Sequence, residues 1–203
     1  MKANRPSRLR RLLKALIALA ILAIILFFSL PLFFAPARVA SADVILHLAI
    51  DSRSHGDEYV AKLYRDGLAK TIVCATSQVS WEVYPADFAR EHLVHLGIPA
   101  ADVSVMRLPI LECGAEYQPL FASYLKERGW RRVIFVVNPT LTRLGRWRTE
   151  SYFRDAGIEA TFTFVPEDRA EMLDAWWRTH WKAQYIVLAL MNSSLDLLYA
   201  RCR

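Results

Sequence analysis

The sequence predicts a three-layer α/β sandwich with a mostly parallel sheet of about five strands, preceded by one transmembrane helix. Three observations predict it. Short apolar runs alternate with stretches whose apolar residues recur at helical spacing; the runs are apolar at consecutive positions, as in strands buried on both faces; and from Ala15 to Ala37 there is no charged residue. The 203 residues are 54% hydrophobic and 23% charged, with 7 Gly and 3 Cys. That composition excludes disorder, collagen-like repeats and a disulfide scaffold, and the length fits about one ordinary domain.

The first element is the uncharged run ALIALAILAIILFFSLPLFFAPA, residues 15–37. A helix needs ~20 apolar residues to cross the hydrocarbon of a bilayer, and Pro31 and Pro36 fall near the outer end, where a kink is tolerated. A soluble core helix would carry a polar stripe, and this stretch offers only Ser29. The formal net charge of +6 belongs to its flank. Lys2, Arg5, Arg8, Arg10, Arg11 and Lys14 precede the run, and beyond Lys14 the chain holds 20 basic and 20 acidic residues. The body is therefore neutral and carries no electrostatic footprint for nucleic acid. The positive-inside bias keeps residues 1–14 in the cytoplasm and sends residues 38–203 to the periplasm or cell exterior, a single-pass protein of the plasma (inner) membrane. Ala40-Ser41-Ala42 also reads as a cleavage site, but signal h-regions run ~7–15 residues, and the longer run here favours a retained anchor.

The body alternates. A strand is predicted from Val44 to Ile50, then a helix over Asp57 to Asp66 ended by Gly67, a strand from Thr71 to Ala75, and a helix over about Ala86 to Leu96 ended by Gly97. A strand from Val103 to Leu108 leads to a helix over about Ala115 to Arg128 ended by Gly129, and a strand from Val133 to Val137 leads to a helix ending near Gly157. A strand from Ala160 to Val165 and a helical stretch from Ala170 complete the chain. Trp176, Trp177, Trp181 and Tyr185 fall at near-helical spacing, expected to pack on the sheet or rest near a membrane interface.

In open α/β sheets ligands bind beyond the carboxyl ends of the strands. The residues there are Asp51, Ser52, Arg53 and His55 after the first strand, Thr76 and Ser77 after the second, Glu112 and Cys113 after the third, and Asn138, Thr140, Thr142 and Arg143 after the fourth. There is no G-x-G-x-x-G, P-loop or G-x-S-x-G, so neither a dinucleotide nor any other cofactor is expected. The Asp51, Arg53, His55 and Asp57 cluster reads as a solvated loop capping the next helix. His47 reads as a satisfied core histidine, and His92 with His95 on a helix surface lack the partners of a metal site. Cys74 and Cys113 fall on loops close enough to pair, although burial as small hydrophobes is the commoner fate.

Four segments carry a resemblance: ADVILHL, HGDEYVAKLYRDGLAKTIV, FAREHLVHLGIP and RVIFVVNP. Over about Asp43 to Tyr199 the chain resembles the YdcF/SanA/ElyC family of envelope-associated domains, and the late Trp176, Trp177 and Arg178 resemble the tail of a YdcF-like subgroup. The resemblance implies a Rossmann-like domain behind one membrane helix, with roles in cell-envelope or peptidoglycan-related metabolism. The departures are in the loops. Family glycines after the first strand correspond to Ala49 and Ile50, a family Ser-Gly-Gly after the second corresponds to Cys74, Ala75 and Thr76, and the family Glu after the second strand falls at Pro85. The T-x-E-N loop falls on Gly114, Ala115, Glu116 and Tyr117, keeping only the Glu. The Tyr-His-x-x-Arg falls on Thr140, Leu141, Thr142, Arg143 and Leu144, so that its His and Arg are replaced by Leu141 and Leu144.

The resemblance therefore implies a degenerate binding or scaffolding domain in envelope maintenance, with loss of the acid/base and anion-positioning groups arguing against an enzyme. The alternative is a divergent enzyme acting on a lipid-linked or nucleotide-linked envelope precursor. If a ligand is still recognised, the candidate residues are Asp51, Arg53, Thr76, Glu116, Asn138, Thr140 and Arg143. Glu116 with Arg143 would form either an anion or sugar site or a structural salt bridge.

Overall fold

In the computed structural model the described residues are 8–29, 39–48, 55–111, 116–137 and 143–199. The chain divides into two units, Met1–Ala35 and Pro36–Arg203.

The first unit contains one helix, α1 (Arg8–Ser29). Its side chains are described at residues 12–22, and Leu12, Leu13, Leu16, Ile17, Leu19, Ile21 and Leu22 are all more than half exposed. At 100° per residue these positions surround the helix, so it is apolar on every side. Among the described residues no helix is long and apolar enough to cross a membrane.

The second unit is an α/β sandwich around a single five-stranded sheet. The strands are β1 (Val44–His47), β2 (Ile72–Ser77), β3 (Val103–Leu108), β4 (Arg132–Val137) and β5 (Glu159–Phe164), in the order β3-β2-β1-β4-β5. All four pairings are parallel, so the mostly parallel expectation becomes wholly parallel, with a helical crossover between successive strands. The helices are α2 (His55–Arg65), α3 (Pro85–His95), α4 (Tyr117–Glu127), α5 (Arg143–Asp155), α6 (Pro166–Leu173) and α7 (His180–Tyr199).

Strand pleating sorts the core into two layers. Ile45, Ile72, Cys74, Ile134 and Val136 meet Val60 and Leu63 of α2 and Ala89 and Leu93 of α3. On the other face Val44, Leu46, Val73, Ala75 and Phe135 meet Phe121 and Leu125 of α4 and Phe153 of α5. Every α-to-β turn is closed by a glycine with positive φ: Gly67 (71°), Gly97 (88°), Gly129 (72°) and Gly157 (75°). Each occupies the left-handed position that ends a helix and returns the chain to the amino edge of the sheet.

Two strand ends bear on the carboxyl edge. β2 runs on to Ser77, so Thr76 is a strand residue paired with Arg107 rather than a loop residue. In β1 the described strand ends at His47, and Ala49 and Ile50 lie outside the described residues. Of these late aromatics Trp176 is buried, while Trp177, Trp181 and Tyr185 are nearly half exposed.

Candidate functional site

The strand order reverses between β1 and β4, and in sheets of this kind the crevice at that switch point, on the carboxyl edge, is where ligands sit. The four positive-φ glycines all serve the opposite edge. On the carboxyl side, over the α4/α5 face, the chain forms an open cavity of about 420 Å³. Ala75, Leu108 and Val137 line it from three strands, Leu48 from the residue after β1, and Phe121 and Phe153 from two helices.

Its floor is aromatic. The Phe135 ring stacks on Phe162 with centroids 4.7 Å apart and planes 8° from parallel, with Phe153 at 5.0 Å and Phe121 edge-on at 5.9 Å. Such clusters pack more favourably than buried area alone provides, which holds the floor in one arrangement.

The polar groups on the wall are neutral and mostly engaged. Gln118 Nε2 donates to Thr149 Oγ1 at 3.3 Å, joining α4 to α5. Tyr117 donates its hydroxyl to the Pro109 carbonyl at 3.1 Å and accepts from the Leu111 N–H at 3.2 Å, so it fixes the chain after β3. Thr76 Oγ1 accepts from the Ala86 N–H at 3.1 Å and thereby satisfies a free donor in the first turn of α3. The Thr76 hydroxyl keeps its own proton to donate. Among the described residues that line the cavity there is no carboxylate, imidazole, amine, guanidinium or thiol.

Val79, also part of the wall, is 65% exposed and begins an exposed apolar rim. A tight turn follows, with Val83 N–H donating to the Ser80 carbonyl and Val79 N–H to the Val83 carbonyl. Glu82 takes φ +60° in that turn, a left-handed conformation that costs a non-glycine residue roughly 1–2 kcal/mol. At its tip Trp81 is 94% exposed, and Ile110, two residues beyond the lining Leu108, is also exposed.

The residues predicted to form a site fare differently. Thr76 lines the cavity. Glu116 is exposed, immediately before α4, and its carboxylate does not cap that helix. Arg143 opens α5 as expected, but only its backbone is described. Asp51, Arg53, Asn138 and Thr140 lie outside the described residues, as do Glu112, Cys113 and Leu141. No contact between Glu116 and Arg143 is therefore among the described features.

A second cluster was not legible as one. On the α2/α3 face, Asp57 Oδ1 accepts from His47 Nε2 at 2.7 Å and Oδ2 accepts from His92 Nδ1 at 2.8 Å. An ionised carboxylate only accepts, so each imidazole carries its proton on the nitrogen facing Asp57. Asp57 is 7% exposed, which corrects its reading as part of a solvated loop: the first turn of α2 tucks its carboxylate under the end of β1. His47 is a core histidine but only half satisfied, because its buried Nδ1 has no partner among the described residues. The available signal was the polar residue closing a fully buried strand, which needs a partner within reach.

Cys74, the cross-strand neighbour of His47, is a buried free thiol. Burial, helped by the Asp57 charge, pushes it up to about 12 against a smaller opposing effect of Arg90, so it stays protonated and unreactive. The cluster ties α2 and α3 to β1. Among the described residues no group of three or more His, Cys, Asp or Glu side chains could hold a metal ion. Compared with known proteins, the chain matches no family model, and neither a curated protein nor a solved structure is similar to it.

Proposed function

We propose that this chain is a membrane-tethered, YdcF-like domain that faces the periplasm or cell exterior and holds a ligand at its carboxyl edge without transforming it, in the service of cell-envelope maintenance. The observation that carries this reading is the chemistry of the cavity wall, which is aromatic and aliphatic with only hydroxyl and amide polarity among the described residues. Proton transfer and anion stabilisation each contribute ~10²–10⁴-fold to such reactions and need groups of another kind. A concave apolar site of about 420 Å³ with a few neutral hydrogen-bonding groups suits binding.

The tether is supported by α1. It leads into the uncharged run that begins at Ala15, and the tether is read from that run, which at 23 residues exceeds the ~20 apolar residues a crossing needs. An apolar surface on every side has no favourable exposure to water, and the uncharged run continues in the sequence to Ala37. The basic flank before Ala15 supports a cytoplasmic N-terminus.

The test offers the full-length chain, in lipid nanodiscs, both lipid-linked and nucleotide-linked peptidoglycan precursors, and follows binding and product formation together. Saturable binding without product is expected. Turnover that disappears in Glu116→Ala or Arg143→Ala would overturn the reading in favour of a divergent enzyme.

A further inference from the structure

Apolar side chains exposed singly are ordinary on a protein surface, but near the end of this chain they are concentrated. Trp177, Trp181, Tyr185, Val187, Leu188 and Met191 are each 44–51% exposed. At φ 43° Ala175 turns the chain out of α6, and the two indoles that follow part: Trp176 is buried, and Trp177 stands outward with its ring at 88° to its neighbour's. In α7 a turn of 100° per residue places Trp181, Tyr185 and Leu188 on one face with Met191 beside them, and Ile186, which is 1% exposed, on the opposite side. The helix is therefore seated by Ile186 and apolar outward, the reverse of one whose polar face meets water. From Ala183 to Leu195 the sequence has no charge, a run of thirteen residues, too short to cross a bilayer and of the length seen in buried core helices or interfacial ones. The exposure of Tyr185, Leu188 and Met191 excludes the core. The order of side chains suits an interface. Indole and phenol rings favour the headgroup level and come first, Arg178 is exposed between Trp177 and Trp181 where a guanidinium meets phosphate, and the aliphatic side chains that favour the acyl boundary follow. Lys182 is engaged within the domain, donating to the Glu171 and Asp174 carbonyls where α6 ends.

We propose that the face of Trp181, Tyr185, Leu188 and Met191, with Trp177, lies in the surface of a phospholipid bilayer, with α7 in the membrane plane. This rests on the membrane tether: a domain anchored in a bilayer meets that surface at high effective concentration, so a short apolar face suffices, whereas a protein partner or a second copy has to be recruited. It adds a second membrane contact, near the end of the chain, that does not cross.

The test reconstitutes the full-length chain in liposomes of phosphatidylcholine and phosphatidylglycerol that contain a phosphatidylcholine with a diazirine in its acyl chain, and maps the label by peptide after irradiation. Label on residues 181–191 is expected together with label on α1. Tyr185→Asp and Leu188→Asp, both at exposed positions, should each lower the α7 label about tenfold while leaving the α1 label and the melting temperature unchanged. Trp181→Tyr keeps an interfacial ring and should retain the label. Label on α1 with none on α7, or α7 label indifferent to both aspartates, would overturn the proposal and leave the tether standing. Label on neither helix would remove the tether and the proposal with it. With p-benzoylphenylalanine at position 188, lipid adducts are expected; crosslinking to a second copy of the chain in their place would assign the face to dimerisation and overturn the proposal.

Discussion

Asp57 receives a 2.7 Å hydrogen bond from Nε2 of His47 and a 2.8 Å bond from Nδ1 of His92, so one buried carboxylate joins the end of β1, the start of α2 and the last turn of α3. Asp57→Ala leaves the His47 Nε2–H buried without an acceptor, which costs about 1–3 kcal/mol. His92→Ala should cost less, because the His92 side chain is 35% exposed and Asp57 retains its bond to His47. Urea denaturation of the two variants checks the ranking. Equal losses would mean that Asp57 does not serve as the common acceptor.

Asp43 closes the other end of β1. Its Oδ2 accepts from the backbone N–H groups of both Arg131 and Arg132 at 2.8 Å, and Oδ1 faces the Arg132 guanidinium at 3.4 Å. Partial burial alone would raise its pKa, but those donors outweigh it, and the carboxyl titrates below its ordinary 3.8. A lowered folded-state pKa gives stability that is present above pH 3.8 and is lost as the pH falls through the folded value. Asp43→Asn should therefore melt earlier than wild type at neutral pH, by a few degrees, with the gap closing in acid. A gap independent of pH would contradict the charge-based account.

Cys74 should resist alkylation in the native protein at pH 8, since its thiol titrates at about 12 and is fully buried. Iodoacetamide labelling followed by peptide mapping should find it modified only after denaturation. Rapid native labelling at Cys74 would show that the α2/α3 face opens.

The membrane reading predicts one crossing. A reporter fused after Arg203 should be active only outside the cytoplasm, and the protein should keep its full-length mass in the membrane fraction after carbonate extraction. Cytoplasmic activity would reverse the orientation. A mature N-terminus at Asp43 would replace the anchor with a cleaved signal.

Periodicity and punctuation made the sheet legible. VIFVV and its counterparts are apolar at consecutive positions because both faces of each central strand are covered, and Gly67, Gly97, Gly129 and Gly157 mark where helices turn back. The site was less legible for a physical reason. Charged residues after strands attract attention, yet the cavity wall is built from Phe121, Phe135, Phe153 and Phe162, which read in sequence only as core. Thr76 is a candidate because it follows an apolar run, although it is the last but one residue of the strand. Asp57 was misread because a carboxylate in a polar stretch looks solvated, and its burial depends on His47 and His92, ten and thirty-five residues away in sequence.

The claim that the cavity at the carboxyl edge holds a ligand is tested most directly by native mass spectrometry of the full-length chain released from nanodiscs formed out of its own membrane. Wild-type protein should carry a discrete bound mass, and Ala75→Phe, if still folded by circular dichroism, should lack it. Val79→Asp should carry less. Wild-type protein with no bound mass, or the same mass in equal amount on both variants, would contradict the account.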